Sequence, residues 1–349
     1  LVAIATVTDV MPLTGENRVL EHFGLRVLNK TQRAGLQELI AVAGLTLGEI
    51  DTTSIGFMIG PRINAAGRMR HANEALKLLI EEDPLRAIEF ATLLHETNID
   101  RQKASAKMYD EARAMVKDDE TASLITVVNE AWSPGLVGLV AGKLVGDFHR
   151  PVLVVGSQDG MYIGSGRSVS GFDITQLLHA AEGSLDKFGG HPQACGFSAH
   201  GRDRIMQAIA MMQSYANLHL HPTMLGARLA IDAEIILEQL SFELLEKIEE
   251  LAPFGQGNPS PLFCAKSLRL LSMQTVGTVG KHLRLTLQSP RGKIVSMIGF
   301  RLGYKATEFR LGDLVDVAFE PHINEWNGIR QLQGKVHDIR ASEPIVKLV

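Results

Sequence analysis

The sequence predicts a multidomain α/β protein that closes in a small β-barrel, and three observations carry that expectation. Its 349 residues exceed one ordinary domain of about 100–200 residues. Strand and helix patterns alternate between Ser123 and Ala216, as in a compact α/β domain. From Ala227 onward the pattern shifts to short half-buried strands. In Lys281–Gln288 (KHLRLTLQ), Leu283, Leu285 and Leu287 share one face, and His282, Arg284, Thr286 and Gln288 share the other.

Taken in order, Leu1–Val7 (LVAIATV) reads as a strand buried on both faces of a parallel sheet, a sheet whose other strands the chain does not supply nearby. That reading implies a chain that starts inside a domain. Val19–Leu28 and Gln32–Ala43 follow at helical spacing, with Gly44 as a stop. Asp83 then Pro84 signals a helix start, a capping carboxylate before a residue that needs no N–H. Nothing interrupts that helix to Val116, a length of about 50 Å, suited to connecting lobes. Strands are expected at Ser123–Val128, Pro151–Val155 and Tyr162–Ser168, and helices at Leu136–Val145, Ile174–Ala180 and Arg204–Ala216. Asn327-Gly328, between Val315–Phe319 and Arg330–Val336, is a strong hairpin signal.

Hydrophobic residues make up 45% of the chain, enough for packed cores. The longest apolar runs fall well short of the roughly 18 residues of a membrane span. Two cysteines, Cys195 and Cys264, build neither a disulfide framework nor a four-cysteine zinc site, which points to a reducing, cytoplasmic setting. Net charge is −4, yet Cys264–Arg340 holds twelve Lys and Arg against six Asp and Glu. That stretch can therefore face a polyanion within an acidic chain.

Four strings can carry chemistry. Asp9 follows the expected strand, where α/β sheets bind ligands and divalent cations, or it caps the next turn. Gly60–Arg68 (GPRINAAGR) offers Arg62, Asn64 and Arg68 among small residues, either for phosphate or as a helix–helix turn with solvated arginines. Gly164–Ser168 (GSGRS) combines Ser165, Arg167 and Ser168 with two glycines, as an oxyanion cradle or a plain strand turn. Gly189-Gly190-His191 pairs two conformationally expensive glycines with an imidazole able to face a phosphate. In the basic region Lys281 and Arg284 offer charge, and Trp326 and Tyr304 offer stacking surfaces or barrel core.

These strings, with Trp132–Gly138 (WSPGLVG) and Pro253–Phe263 (PFGQGNPSPLF), stand in the order found in RecJ-type single-strand exonucleases. The chain resembles that branch of the DHH phosphoesterase superfamily along its length. The resemblance implies the end of a DHH nuclease domain at 1–20 and a helical connector at 21–118. It further implies a DHHA1 domain at 119–218 and an OB-fold-like domain at 226–345. By the same likeness Asp9 is a ligand of one of two Mn²⁺ or Mg²⁺ ions, and His191 belongs to the catalytic GGH motif. Arg62, Asn64 and Arg68 lie near the scissile strand, Ser165 and Arg167 bind the terminal phosphate, Ser168, Gly189, Gly190 and His191 count with them as phosphate- or nucleic-acid-binding, and Lys281, Arg284 and Trp326 contact DNA in the OB-like region.

The family's DxD pair, middle aspartate and Asp-His-His triplet are absent from the chain, and one Asp9 does not assemble a two-metal site. The expected activity is 5′→3′ hydrolysis of single-stranded DNA in repair and recombination by the parent protein, with these residues alone inactive. A single-strand-binding protein and a helicase are the implied partners, and no membrane is involved. The alternatives are another DHH phosphoesterase, acting on short oligonucleotides or pyrophosphate, or a non-catalytic single-strand-binding scaffold.

Overall fold

The computed structural model describes residues 1–116, 122–326 and 329–342. By its internal contacts the chain divides into two units, Leu1–Arg26 with Leu229–Val349, and Val27–Arg228.

The chain opens not with a strand but with helix α1 (Val2–Thr8), followed by α2 (Gly15–Leu28). The expected parallel strand at Leu1–Val7 is thus corrected. A lone extended segment would leave its ladder groups unpaired, whereas a helix satisfies them within the segment. The threonine hydroxyls of the segment are satisfied within the helix. Thr6 Oγ1 donates to the Val2 carbonyl at 3.0 Å and Thr8 Oγ1 to that of Ile4 at 2.8 Å, and Ala3 and Ile4 turn inward. Between the two helices Leu13 is buried, its N–H bonded to the Gln256 carbonyl at 2.6 Å.

The second unit begins with α3 (Ala34–Val42), the short α4 (Thr52–Ser54), and a π-helical turn at Ile55–Ile59 that runs directly into α5 (Gly60–Met69). Gly60–Arg68 is therefore helix, and not the helix–helix turn that was one reading of it. After α6 (Asn73–Ile80) comes α7 (Pro84–Met115), 32 residues long, its first turn capped by Asp83 Oδ1 accepting from Leu85 N at 3.0 Å. At 1.5 Å per residue α7 spans about 48 Å. It packs against α3, α5, α6 and α8 (Pro134–Phe148).

A five-stranded mixed sheet follows: β1 (Ile125–Val128), β2 (Val152–Gln158), β3 (Met161–Arg167), β4 (Lys187–His191) and β5 (Ala194–His200), in the order β1-β2-β3-β5-β4. Only β1 and β2 pair in parallel. Strand alternation sends Val152 and Val154 into the core beneath α8, and Leu153 and Val155 into the core shared with α9 (Thr175–Ala180) and α10 (Arg202–His219). The four are fully buried, as expected of a strand covered on both faces.

In the other unit β6 (Ala233–Glu234) and α11 (Phe242–Glu249) precede β7 (Phe263–Val276), β8 (His282–Gln288), β9 (Ile294–Gly299), β10 (Leu314–Trp326) and β11 (Ile329–Ala341). The pairing β7-β8-β9-β11-β10 returns to β7 and closes a five-stranded barrel, with β9–β11 its one parallel contact. This is the OB-fold order. Leu283, Leu285 and Leu287 are all fully buried, joined in the barrel core by Val315, Val317 and Phe319. Asn327-Gly328, the expected hairpin turn between β10 and β11, lies outside the described residues, as does the side chain of Trp326.

Candidate nucleic-acid interface

Residues 27–228 bring three arginines from three elements toward the N-terminal half of α8. On β3 the period of two sends Ser165 and Arg167 to the α8 side of the sheet. Arg167 Nη1 donates to Ser165 Oγ at 2.9 Å and to the Gly166 carbonyl at 2.8 Å, and Ser165 Oγ donates to the Cys195 carbonyl at 3.2 Å. Both side chains press on Gly138 of α8: a Cβ there would lie 3.2 Å from Arg167 Nη2 and from Ser165 Oγ. From the end of α5, Arg68 Nη1 donates to the Gly135 carbonyl at 3.2 Å, and a Cβ at Gly135 would lie 2.5 Å from the Arg68 carbonyl. The first turn of α8, with its outward N–H groups and positive dipole end, is thus flanked by two guanidiniums and a hydroxyl.

Arg101 of α7 joins them, a residue the sequence pattern did not single out. Its Nε and Nη2 donate to Asn98 Oδ1 at 3.1 and 3.0 Å. Burial lowers the guanidinium pKa values of Arg62, Arg68, Arg101 and Arg167, and the Arg68 charge lowers those of Arg101 and Arg167 further. Among the described residues no carboxylate pairs with any of the four. Crowded, partly desolvated cations without a counter-charge form a site whose electrostatics favour an anion. Arg62 stands near the start of α5, where Nε donates to His95 Nδ1 at 3.2 Å and Nη1 to the Met58 carbonyl of the π turn at 2.7 Å. Asn64 is exposed on the same helix.

The glycines of GSGRS turn out to serve packing. They lie within β3 itself, on the face away from α8. A Cβ at Gly164 would lie 2.2 Å from the Phe197 ring, and one at Gly166 would lie 2.6 Å from Cys195 Sγ. Ser168 does not join Ser165: it is buried, and its hydroxyl donates to the Phe172 carbonyl at 2.6 Å. Gly189, Gly190 and His191 lie in β4, an exposed edge strand. Gly190 has φ +157°, and a Cβ there would lie 2.4 Å from the Ala194 carbonyl oxygen, so this glycine lets two strands approach closely. The His191 side chain is exposed and bonds to no described residue.

Asp9 does not end a strand. It is the exposed C-cap residue of α1. Among the described residues no three His, Cys, Asp or Glu side chains gather to hold a metal ion. The donor set therefore does not fit a two-metal centre. Among the described residues no helix is long and apolar enough to cross a membrane.

On the barrel, Arg284 is exposed on β8 and Lys281 just precedes that strand. The connection into β8 is tied to the one leaving β9, with Gly303 N donating to the Lys281 carbonyl at 3.1 Å and Arg301 N to His282 Nδ1 at 3.0 Å. These connections hold two non-glycine residues at positive φ, Val279 at +53° and Arg301 at +63°, and present Phe300 and Tyr304 at 53% and 66% exposure. The His282 ring meets the Phe300 edge at 5.3 Å. Lys281, Arg284 and Arg301 form no ion pair among the described residues, whereas Lys305, Lys335 and Arg340 do. The sequence pattern does not single out Phe300 and Arg301, an aromatic and a cation outside any recognisable motif.

Comparison with known proteins matches residues 121–218 to the DHHA1 domain and residues 231–338 to the RecJ OB domain. The single-stranded-DNA-specific exonuclease RecJ of Bacillus subtilis is 34% identical over 348 residues, covering 98% of this chain and 44% of that protein. Its counterpart in Thermus thermophilus is 30% identical over 350 residues, covering 99% and 48%. The crystal structure of the Thermus thermophilus RecJ in complex with Mg²⁺ superposes with a TM-score of 0.85 at 29% identity, covering 98% of this chain and 52% of that one. The chain spans about half the length of these relatives. It carries a DHHA1 domain and a RecJ OB domain in tandem and is similar to RecJ exonucleases in sequence and fold from end to end.

Proposed function

We propose that the protein is a 5′→3′ exonuclease specific for single-stranded DNA, and that this chain holds the substrate. The observation that carries the reading is the crowding of Arg68, Arg101 and Arg167 along the N-terminal half of α8, with no carboxylate paired to them among the described residues. A terminal phosphomonoester supplies the missing charge. Nη1 of Arg167 is committed to Ser165 and Gly166, which leaves its Nε–Nη2 edge for a two-pronged hydrogen bond to phosphate oxygens. Ser165 fixes that guanidinium, and the α8 N–H groups face the same anion. Holding the 5′ terminus here sets the direction of digestion.

On the barrel, Lys281, Arg284 and Arg301 meet backbone phosphates while Phe300 and Tyr304 offer ring faces to unpaired bases. Such a surface grips a single strand without reading its sequence. A small-molecule phosphoesterase has no use for it, which favours the exonuclease over the alternatives within the superfamily. Relatives of known structure bind Mg²⁺ or Mn²⁺, but the residues described here assemble no such site, and no hydrolytic step is assigned to them. A single-strand-binding protein and a helicase are the partners that the RecJ likeness supports.

The test is the affinity of the chain for one oligothymidylate phosphorylated at its 5′ or at its 3′ end. The 5′ form binds more tightly if the arginine cluster sets polarity, and equal affinities refute the assignment.

A further inference from the structure

Hydrolysis of the first phosphodiester of a 5′-phosphorylated strand breaks the bond from phosphorus to the 3′ oxygen, with water supplying a hydroxyl to phosphorus and a proton to that oxygen. The released mononucleotide keeps its 5′-phosphate and gains a 3′-hydroxyl, and the shortened strand carries a new 5′-phosphate. Both products then end in the group that the arginine cluster holds, so the strand advances only once the mononucleotide has left. Beside that cluster, α7 and α8 border an open cavity of about 430 Å³, lined by Arg101, Gln102, Ser105, Leu139, Gly142 and Lys143. Arg101 belongs to both places, since it lines the cavity and the Arg68 charge acts on it. Its Nε and Nη2 bond to Asn98, which leaves Nη1 uncommitted among the described residues. Lys143 has no ion pair among the described residues, and its ammonium lies 5.4 Å from the centre of the Tyr109 ring. A helix interior disfavours glycine, and close packing does not require one at Gly142, where a Cβ would meet nothing within 4 Å. The bare backbone there keeps the cavity open.

We propose that this cavity is a second binding site, for the free 5′-mononucleotide, into which that product passes from the arginine cluster. The inference rests on the terminal-phosphate reading above. Arg101, shared by the two sites, and Lys143 supply charge for the phosphate. Leu139 and the bare Gly142 surface leave room for sugar and base, and the volume falls in the range of about 300–1,000 Å³ that small-molecule sites occupy. Ser105 is buried, so it contributes wall and no donor. Inorganic phosphate presents the same oxygens and is the other source of such a ligand.

Isothermal titration calorimetry of the 349-residue chain, in EDTA, with thymidine 5′-monophosphate counts the sites. The proteins are the wild type, Gly142→Leu, Lys143→Gln and Arg167→Ala, each checked for its fold by a thermal melt. The wild type takes up two mononucleotides per chain, and saturation with a 5′-phosphorylated oligothymidylate displaces one of them. Gly142→Leu loses the other, the one that the strand leaves in place. Lys143→Gln, which changes only a surface charge, weakens that same site roughly tenfold or more and leaves the strand-displaced site unchanged. A wild type with one site, removed by Arg167→Ala and displaced by the strand, overturns the proposal and leaves the terminal-phosphate reading intact. A second site that neither cavity substitution alters also overturns the proposal. A second site that takes inorganic phosphate as tightly as the mononucleotide assigns the cavity to a free anion and overturns it too. Mononucleotide binding indifferent both to the strand and to Arg167→Ala refutes the terminal-phosphate reading, and the transfer with it.

Discussion

Arg167→Ala removes the residue on which the terminal-phosphate reading depends most. Two of the guanidinium's contacts are internal, to Ser165 Oγ and the Gly166 carbonyl, so its Nε–Nη2 edge is the part that reaches a ligand. Hydrogen bonds to charged groups contribute about 1.5–3 kcal/mol, a loss of roughly 10- to 150-fold in affinity. Relief of repulsion acts in the same direction. Without a ligand Arg167 is destabilised by burial and by the Arg68 charge, and phosphate binding relieves that strain only when Arg167 is present. Fluorescence anisotropy with a labelled 12-mer, either 5′-phosphorylated or 5′-hydroxyl, measures the effect. The loss should fall on the phosphorylated strand alone. An equal loss on both ends would show that Arg167 contributes general charge and not a terminal pocket.

Charge reversal at Lys281 and Arg284 should lower the slope of log affinity against log salt by roughly 1.4, at about 0.7 per phosphate contact in single strands. An unchanged slope would remove the barrel face from the strand's path. Gly190→Ala should cost on the order of 1–3 kcal/mol, because its Cβ would lie 2.4 Å from the Ala194 carbonyl oxygen, while Gly189→Ala faces open space and should be near neutral. Thermal melts that rank the two alike would contradict the close strand approach. Glu21 is fully buried, its carboxylate oxygens have no hydrogen-bond partner among the described residues, and burial pushes its pKa from 4.5 up to about 7. Between those values the folded chain keeps a proton that the unfolded chain releases. Stability should therefore fall by up to about 3 kcal/mol as pH rises through that window, then level off. Denaturant titrations of Glu21→Gln should lack this slope.

Local chemistry was legible wherever a local rule decided the outcome. Asp83-Pro84 specified the start of α7, and alternation in β8 placed three leucines in the barrel core. Residues 1–7 misled because β-branched composition suits a strand only when neighbours complete a ladder, and the segment satisfies its own backbone as α1. The GSGRS glycines misled differently. A loop that cradles phosphate and a strand packed against Phe197 both require glycine, and only the sheet register tells them apart. Arg101 was missed because a charged residue on a long helix reads as solvated surface. A signal was present, however: Asn98 and Ser105, three residues before and four after it, are polar yet 2% exposed, on a stripe where apolar residues usually stand.

Selection of a free 5′-phosphorylated strand over paired DNA is the most direct measure of the central claim. Labelled 5′-phosphorylated oligothymidylate bound to the chain in EDTA is challenged with unlabelled single strand or with blunt duplex carrying the same terminal phosphate, at low and moderate salt. The account predicts that single strand displaces the label at far lower concentration than duplex, and that affinity falls as salt rises. Duplex that competes equally well, or binding indifferent to salt, would contradict it.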